Sequence, residues 1–223
     1  TKVDEDYPDN KLSGAVFEVY SDTNGDGKLD KDDTLLGEMK ELDGGVYQMS
    51  ELRYGKYLVK ESKAPTGFVL DEDVYAVSIE ENGKTYTVEN KAGVGFINAA
   101  QKGSLKIVKT SSDGKVEDFS FRVTGVDYDQ TFKTDKNGEI VIEGLRIGDY
   151  TVSEVNDKAS AGYILPADKQ VTVKVDATAI VQMHNEFRDT PKTGDDFNLG
   201  LWVSLSVLSV VGAGVLGFVG YKN

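Results

Sequence analysis

Two glutamates close two copies of one pattern, Leu-Arg-x-Gly-x-Tyr-x-Val-x-Glu, over residues 52–61 and 145–154. Such alternation is that of a half-buried strand, in which every second side chain faces the same way. Tyr57 and Val59 therefore share a face with Glu61, as do Tyr150 and Val152 with Glu154. The opposite face carries Lys56 and Lys60 in one copy, Asp149 and Ser153 in the other, and is the wet one. A carboxylate on an apolar face needs a partner. Lys109 shares a face with Leu105 and Ile107, and Asn185 with Ala179, Val181, Met183 and Phe187. Asn98 repeats Asn185, following Val94 and Phe96, and Lys2 takes the place of Lys109 ahead of the first copy's next strand.

An amine, a carboxyl and a carboxamide buried together can react. Desolvation lowers the pKa of a lysine and raises that of a glutamate, and the two titrate as a coupled pair. The neutral amine is a nucleophile toward the Asn carboxamide carbon. The protonated glutamate polarises the amide oxygen and relays protons to the departing ammonia. The product is a Lys–Asn isopeptide bond, and fixed packing can remove roughly 7 to 11 kcal/mol of its barrier. A buried Lys–Glu ion pair, with Asn satisfying stray hydrogen bonds, is the simpler account of one such set. Two sets at matching places in a chain without cysteine favour the reaction.

A second constellation lies in the loop 22–33. Asp22, Asn24, Asp26, Asp30 and Asp33 fall at positions 1, 3, 5, 9 and 12, with Gly27 at 6 and the backbone carbonyl of Lys28 at 7. This is the spacing of a calcium loop. Asp33 stands where glutamate is usual, and the flanks read as strands, so the expected affinity for Ca2+ is weak, around 10⁻⁴ to 10⁻³ M. A solvated Asp/Asn/Gly turn without a fixed metal is the alternative. His184 is the one histidine, on an outward position, and with no cysteine neither a zinc site nor a Ser-His-Asp triad can be assembled from it.

The elements that hold these residues are strands. A chain of 223 residues has room for two domains, and strand formers with Gly-rich turns dominate it, so the fold class is all-β. A net charge of -13 argues against nucleic acid or an anionic membrane surface as partner. The expected strands of the first copy are 1–3, 15–20, 35–40, 46–52, the repeat strand, and 94–98, with an Asn82-Gly83 hairpin joining 74–80 to 85–88. The second copy expects strands at 104–109, 119–123, 131–134 and 140–145, then its repeat strand and a last strand to Phe187. The domains are then 1–101, with the inserted loop, and 102–188. A linker 189–198, an apolar span 199–220 and a tail 221–223 follow. The span is long enough to cross a bilayer as a helix, with Trp202 as an interface anchor and Lys222 as a thin basic flank. Starting in the strand-like Thr1-Lys2-Val3, the chain reads as the C-terminal part of a longer exported protein.

These residues resemble the Cna-B type (SpaA-like) domains of Gram-positive surface proteins and pilins. The resemblance rests on Lys2-Val3-Asp4, Lys109-Thr110, Gly14-Ala15-Val16-Phe17, the Tyr-x-Val-x-Glu strands, Ala64-Pro65-Thr66-Gly67-Phe68, Asn98 and Asn185. It departs at Asp118-Phe119, which replaces Gly14-Ala15. It implies prealbumin-like β-sandwiches, with Lys2 bonded to Asn98 beside Glu61 and Lys109 to Asn185 beside Glu154. The loop is also similar to the calcium loops in B repeats of serine-aspartate adhesins. Thr190-Pro191-Lys192-Thr193-Gly194, ahead of the span, resembles a sortase cell-wall sorting signal with Thr190 in place of leucine. That implies cleavage between Thr193 and Gly194 and transfer of Thr193 to peptidoglycan.

The function expected is therefore that of a non-enzymatic, wall-anchored surface or adhesin stalk. Its partners are sortase, peptidoglycan after sorting, the membrane before it, and an unidentified host or surface ligand. A minor or basal pilin is the alternative. Tyr7-Pro8-Asp9-Asn10 resembles a pilin polymerisation motif but has Asp where an acceptor lysine belongs. An anchored enzyme with its catalytic domain upstream of Thr1 is a third reading.

Overall fold

The computed structural model describes residues 1–188, and residues 190–194 and the apolar span lie outside them. All of its regular structure is strand. The first sandwich contains β1 (Lys2–Asp4), β2 (Val16–Ser21), β3 (Thr34–Glu38), β4 (Lys40–Glu41), β5 (Tyr47–Gln48), β6 (Gly55–Lys63), β7 (Val74–Ile79) and β8 (Phe96–Asn98). The second contains β9 (Lys102–Ser111), β10 (Ser120–Gly125), β11 (Tyr128–Lys133), β12 (Glu139–Arg146), β13 (Gly148–Glu154), β14 (Tyr163–Ile164), β15 (Lys169–Val173) and β16 (Thr178–Phe187).

In the second sandwich two four-stranded sheets, ordered β11-β10-β13-β15 and β12-β9-β16-β14, enclose the core. The first repeats one of them as β3-β2-β6-β7. Its other sheet is reduced to two separate pairs, β1-β8 and β4-β5. Leu105, Ile107, Phe121, Val123, Val152 and Met183 are wholly buried in the second core. In the first, Phe17, Val19, Val59 and Phe96 are the equivalents. Phe96 meets both Phe17 and Tyr75 edge to face, at 4.8 and 5.0 Å between ring centres, the arrangement the ring quadrupoles prefer.

The repeated pattern has a local physical basis. The Tyr57 hydroxyl donates to the Arg53 carbonyl at 2.7 Å, and the Tyr150 hydroxyl to the Arg146 carbonyl at 2.9 Å. Each tyrosine thus buries its ring and satisfies its hydroxyl on the chain entering its own strand. At Gly148, φ is +140°, and a Cβ would stand 2.6 Å from the Val126 side chain, so only glycine fits. Asp118 adopts φ +68° where Gly14 has +85°; aspartate is one of the few residues that enter this region readily.

Three expectations need correction. Residues 85–88 form no strand, so no Asn82-Gly83 hairpin is completed. Instead the Tyr86 hydroxyl accepts the Glu80 and Glu81 amides at 3.0 and 2.9 Å, which turns the chain away from β7. Val94 is exposed, because the turn 91–95, closed by the Val94 amide on the Lys91 carbonyl at 3.0 Å, precedes β8. Phe187, at the end of β16, is likewise exposed. The sequence pattern also left out β14 and β15.

The sandwiches are tied through Arg146. Its guanidinium donates to both Asp4 carboxylate oxygens, at 2.7 and 2.8 Å, and to Asp6 at 3.0 Å, and lies 4.9 Å from the Tyr7 ring centre. Lys102 adds a 3.2 Å ion pair to Asp6. Backbone bonds from Gln101 to the Gly67 carbonyl, 2.8 Å, and from Ile147 to the Gln101 carbonyl, 3.0 Å, hold the linker on both sides. Burial pushes the Asp4 carboxyl up, but the Arg146 guanidinium and backbone amides outweigh it and hold the group below the usual carboxylate range.

A depressed folded-state pKa stabilises above the unfolded value and stops doing so as pH falls through the folded one. The joint is therefore intact at neutral pH and loosens only below the ordinary carboxylate range. Arg146→Ala is expected to weaken it at neutral pH by about 2 kcal/mol, less than for a fully buried pair because the guanidinium keeps a wet edge. Hydrogen exchange at the Gln101 and Ile147 amides should then be about thirtyfold faster. Unchanged exchange at both would show that the ion pair does not hold the joint.

Candidate functional site: a buried lysine, glutamate and asparagine in each sandwich

In the first sandwich β1 and β8 pair in parallel, Lys2 opposite Phe96 and Asp4 opposite Asn98. This offset puts the Lys2 and Asn98 side chains diagonally adjacent on one face. β6, in the facing sheet, presents Glu61 to them. Lys2 and Glu61 are 0% exposed and Asn98 is 3% exposed. The Lys2 amine donates to the Asn98 carbonyl oxygen and lies 3.2 Å from Glu61 Oε1. The Asn98 amide nitrogen donates to both Glu61 oxygens, at 3.1 and 2.9 Å, and Glu61 Oε2 also accepts the Asp71 amide at 2.9 Å. Phe96 and Phe17 wall the amine, at 4.7 and 5.9 Å from ring centre to nitrogen. Desolvation lowers the Lys2 pKa, against the opposing pull of Glu61.

The second sandwich repeats the register, with Lys109 opposite Met183 and Ser111 opposite Asn185 on parallel strands. Asn185 donates to Glu154 Oε1 at 2.6 Å. Here the Lys109 amine instead donates to the Thr110 carbonyl at 2.6 Å, lying 4.2 Å from the Phe119 ring centre. Glu154 Oε2 and Asn185 Oδ1 are buried without a hydrogen-bond partner. In the first sandwich the Asn98 carbonyl oxygen and Glu61 are what receive the amine, so this orphaned pair marks the equivalent place for Lys109. Burial lowers the Lys109 pKa and raises that of Glu154, each opposed by the charge of the other. Both shifts favour a neutral amine beside a neutral acid.

Sequence reasoning missed the supports. Asn90 donates to Asp71 and to the Ile97 carbonyl, at 2.7 and 2.8 Å, and accepts the Ile97 amide at 2.6 Å. Asp71 also accepts the Tyr75 hydroxyl at 2.7 Å. These bonds pin β8, and with it Asn98, over Glu61. No periodicity signals them, since 71 and 90 lie in irregular chain.

The loop 22–33 spends its carboxylates on its own backbone. Asp22 accepts the Gly25 and Gly27 amides at 2.7 and 3.1 Å, and Asp33 those of Thr23 and Asp30 at 3.0 and 2.9 Å. Asn24 accepts the Asp26 amide and donates to Asp30, and Asp26 accepts the Lys28 amide. Among the described residues no three acidic, histidine or cysteine side chains converge as a metal site. His184 is exposed, 2.8 Å from the Thr110 hydroxyl and 3.1 Å from Glu186. Thr190, Pro191, Lys192, Thr193, Gly194 and Trp202 lie outside the described residues.

Two sandwiches of related topology, each bringing the same three residue types together at equivalent places, with Glu154 half-buried where Glu61 is fully buried, define a tandem prealbumin-like β-sandwich protein. A family model described as the SpaA prealbumin-like fold domain matches residues 1–92 and again 103–187, and the chain belongs to that family. It is similar in structure to the Bacillus anthracis TIE protein, with 25% identity over 84% of this chain and 32% of that one, TM-score 0.61. It is also similar to the pilus adhesin SpaC from Lactobacillus rhamnosus GG, with 15% identity over 84% of this chain and 31% of that one, TM-score 0.52. A C-terminal fragment of SpaC matches at 15% identity over 84% of this chain and 96% of the fragment, TM-score 0.50. The chain spans about a third of the length of the TIE protein and of full SpaC. No curated protein matches it.

Asn90→Ala removes three buried or half-buried hydrogen bonds and leaves Ile97 and Asp71 short of partners. The expected cost is about 2 kcal/mol to the first sandwich, read as a lowered denaturant midpoint for that sandwich while the second keeps its own. An unchanged first midpoint would mean that packing of Phe96 alone fixes β8.

Proposed function

We propose that the chain is the load-bearing, wall-anchored stalk of a Gram-positive surface protein, stiffened in each sandwich by an intramolecular Lys–Asn isopeptide bond. The observation that carries the reading is the joint burial of Lys2, Glu61 and Asn98, with the amine already on the carboxamide, and the recurrence of the same residue types as buried Lys109 and Asn185 beside half-buried Glu154.

The reaction follows from the geometry. A proton moves from the lysine ammonium to the glutamate carboxylate, a step that burial eases by lowering both lysines and, in the second sandwich, by raising Glu154. The neutral amine attacks Cγ of the asparagine, while the protonated glutamate hydrogen-bonds the carboxamide and then returns its proton to the departing nitrogen. One Nζ–Cγ bond forms and one Cγ–Nδ2 bond breaks; the attacking nitrogen gives up its second proton through the same carboxylate, and the leaving nitrogen departs as ammonium, that is, ammonia with the proton the lysine brought. Glutamate ends as it began. Each domain reacts once, so the chain is no enzyme in the turnover sense.

The bond joins parallel neighbours. Tension between the start of the first strand and the end of the last would shear their ladder, and a covalent tie across that pair takes the load instead. By analogy with disulfides, closing so long a loop adds roughly 4 kcal/mol on an entropic model. In the same reading the motif at Thr190 to Gly194 delivers the stalk to a sortase, which joins Thr193 to peptidoglycan, and the span 199–220 holds it in the membrane beforehand. The acidic surface suits a solvated extracellular setting.

The decisive experiment is the intact mass, under denaturing conditions, of residues 1–188 and of the Glu61→Ala and Glu154→Ala variants. The unchanged chain is expected to lack two ammonias, and each variant one. A full, unmodified mass for the parent would leave two buried ion pairs and remove the cross-linked stalk.

We also propose that the loop 22–33 binds Ca2+ weakly once its carboxylates turn from the backbone amides to the ion. Addition of Ca2+ well above its expected dissociation constant, around 10⁻³ M or tighter, should slow proteolysis within the loop. The Asp22→Ala and Asp33→Ala variants should show no such effect. Equal cleavage with and without Ca2+ in the parent chain would leave the loop a plain Asx-rich turn.

A further inference from the structure

The two triads share a register but not the position of the amine. The Lys2 amine lies on the Asn98 carbonyl oxygen, whereas that of Lys109 donates to the Thr110 carbonyl at 2.6 Å and leaves Asn185 Oδ1 and Glu154 Oε2 without a partner. The strands do not account for this, since Lys2 and Lys109 stand at the same diagonal offset from their asparagines. The aromatic faces do. In the first sandwich the rings beside the amine are Phe96 on the last strand and Phe17 on β2, at 4.7 and 5.9 Å. Met183 takes the place of Phe96 in the second, and the ring beside Lys109 is Phe119, at 4.2 Å. The pairings Phe17–Glu61 and Phe121–Glu154 correspond, so Phe119 stands where the first sandwich has Ala15. Their backbone amides agree, donating to the Tyr47 and Thr134 hydroxyls at 3.0 Å each. The ring has moved from the last strand to the entry of β10, and the ammonium has followed its negative face.

Phe119 is itself anchored. It is wholly buried and meets Tyr163 edge to face, 5.3 Å between ring centres. The Tyr163 hydroxyl donates to Asp113 at 2.6 Å, and Asp113 also accepts the Ser111 hydroxyl at 2.7 Å and the Lys115 amide at 3.2 Å. The two hydroxyls hold the Asp113 carboxyl down to about 2, so it is an anion at neutral pH. Its charge, after that of Glu154, acts on Lys109 against the burial that lowers the amine. The first sandwich lacks this anchor. Gly67-Phe68 corresponds there to Gly162-Tyr163, each glycine at positive φ, +85° and +92°, and Phe68 carries no hydroxyl. Asp6, four residues after Lys2 as Asp113 is after Lys109, is taken by Arg146 and Lys102 instead.

We infer that Phe119, backed by Tyr163 and Asp113, is a latch that keeps Lys109 waiting as an ammonium on the Thr110 carbonyl, and that its release sets the rate of the second cross-link. This rests on the proposed cross-links and adds their order, the first sandwich before the second. Release is a rotation of the lysine side chain, away from the ring and the Thr110 carbonyl and onto the two open oxygens, Asn185 Oδ1 and Glu154 Oε2. The latch exchanges no proton and forms no bond. From there the chemistry is that of the first sandwich, with Glu154 taking the proton. Phe119 and Asp113 both favour the charged amine, so the latch opposes reaction until the amine leaves it. Tyr163 and Asp113 act through Phe119 and Lys109 and are positioning residues. A tie that closes late lets β16 settle its ladder on β9 before the register is fixed covalently.

The test follows both cross-links in one chain. The full chain is made by cell-free synthesis in detergent, samples are quenched in acidic denaturant at intervals, and the Lys2–Asn98 and Lys109–Asn185 bonds are each read by digestion and mass. In the parent the second bond is expected to lag the first by about tenfold in time. Phe119→Leu keeps an apolar wall but removes the ring face, and should form the second bond about tenfold faster than the parent, with the first unchanged. Its rise in rate with pH should also move to lower pH, because the ammonium is no longer favoured, a shift that a merely looser core would not produce. The charged groups about the amine and its ring are Glu154, Asp113 and Lys115, and all three stay in place in this variant. Tyr163→Phe, which matches the ring the first sandwich carries at Phe68, should give a smaller acceleration in the same direction, and it decides the matter if Phe119→Leu does not fold. A second bond that forms no later than the first in the parent, or that the folded variants form no faster than the parent, would overturn the latch. Loss of ammonia at neither site in the parent would instead remove the cross-links themselves, and the latch with them.

Discussion

A lysine amine enclosed by phenylalanine rings sets the terms for the rest of each sandwich. Burying an ammonium ion costs several kcal/mol, and replacing a buried ion pair by apolar residues is often neutral or stabilising. Lys2 sits at 0% exposure against Phe96 and Phe17, so its carboxylate and carboxamide must be held where they can answer it. That demand explains the fixed diagonal offset between first and last strands. It also explains the Asn90–Asp71 bonds that pin β8 over Glu61. The family relation makes the prealbumin-like scaffold common to both halves. What they share beyond the scaffold is this one set of residues, a lysine, a glutamate and an asparagine turned toward an apolar core.

The copies differ wherever that demand is absent. Arg53 and Arg146 occupy the same place in the repeat, and each offers its carbonyl to a tyrosine hydroxyl four residues on. Only Arg146 finds carboxylates, because only it faces the neighbouring sandwich, where Asp4 and Asp6 follow directly on Lys2. One repeated residue thus serves the local strand entry in both domains and the joint in one. The pair of amines differs too. Lys2 is already on its carboxamide, while Lys109 is turned to the Thr110 carbonyl and leaves two buried oxygens open.

The fold and the triads were legible in sequence because a strand writes its inward face as a period of two. Glu61, Lys109 and Asn185 each interrupt an apolar parity, and the interruption is itself the signal. The same rule failed at Val94, where a turn resets the phase before β8, and at residues 85–88, where the Tyr86 hydroxyl caps the chain that an Asn-Gly hairpin was expected to pair. Asp71, Asn90 and the Asp4–Arg146 joint were illegible for another reason. Asp71 and Asn90 lie in irregular chain, and Asp4 and Arg146 meet from the ends of two strands far apart in sequence, so no local period records their contacts. The loop at 22–33 showed donor spacing but not donor direction, and its carboxylates point at its own amides.

If each triad closes to a bond, the path of tension through the described chain becomes short. It runs from Lys2 across to Asn98, along Ala99, Ala100 and Gln101 into β9, and from Lys109 across to Asn185. Every other strand falls outside it. The one stretch between the two ties, 99–108, is then the only backbone whose extension could separate the sandwiches, and it is where the supporting contacts gather. Ala99 accepts the Val69 amide at 2.9 Å, Gln101 donates to Gly67 and accepts from Ile147, and Arg146 clamps Asp4 beside it. Hydrogen bonds and an ion pair are individually weak, worth about 1 to 3 kcal/mol. Placed around a segment too short to stretch far before β9 takes over, they need only keep the joint from bending while covalent ties take the load on either side.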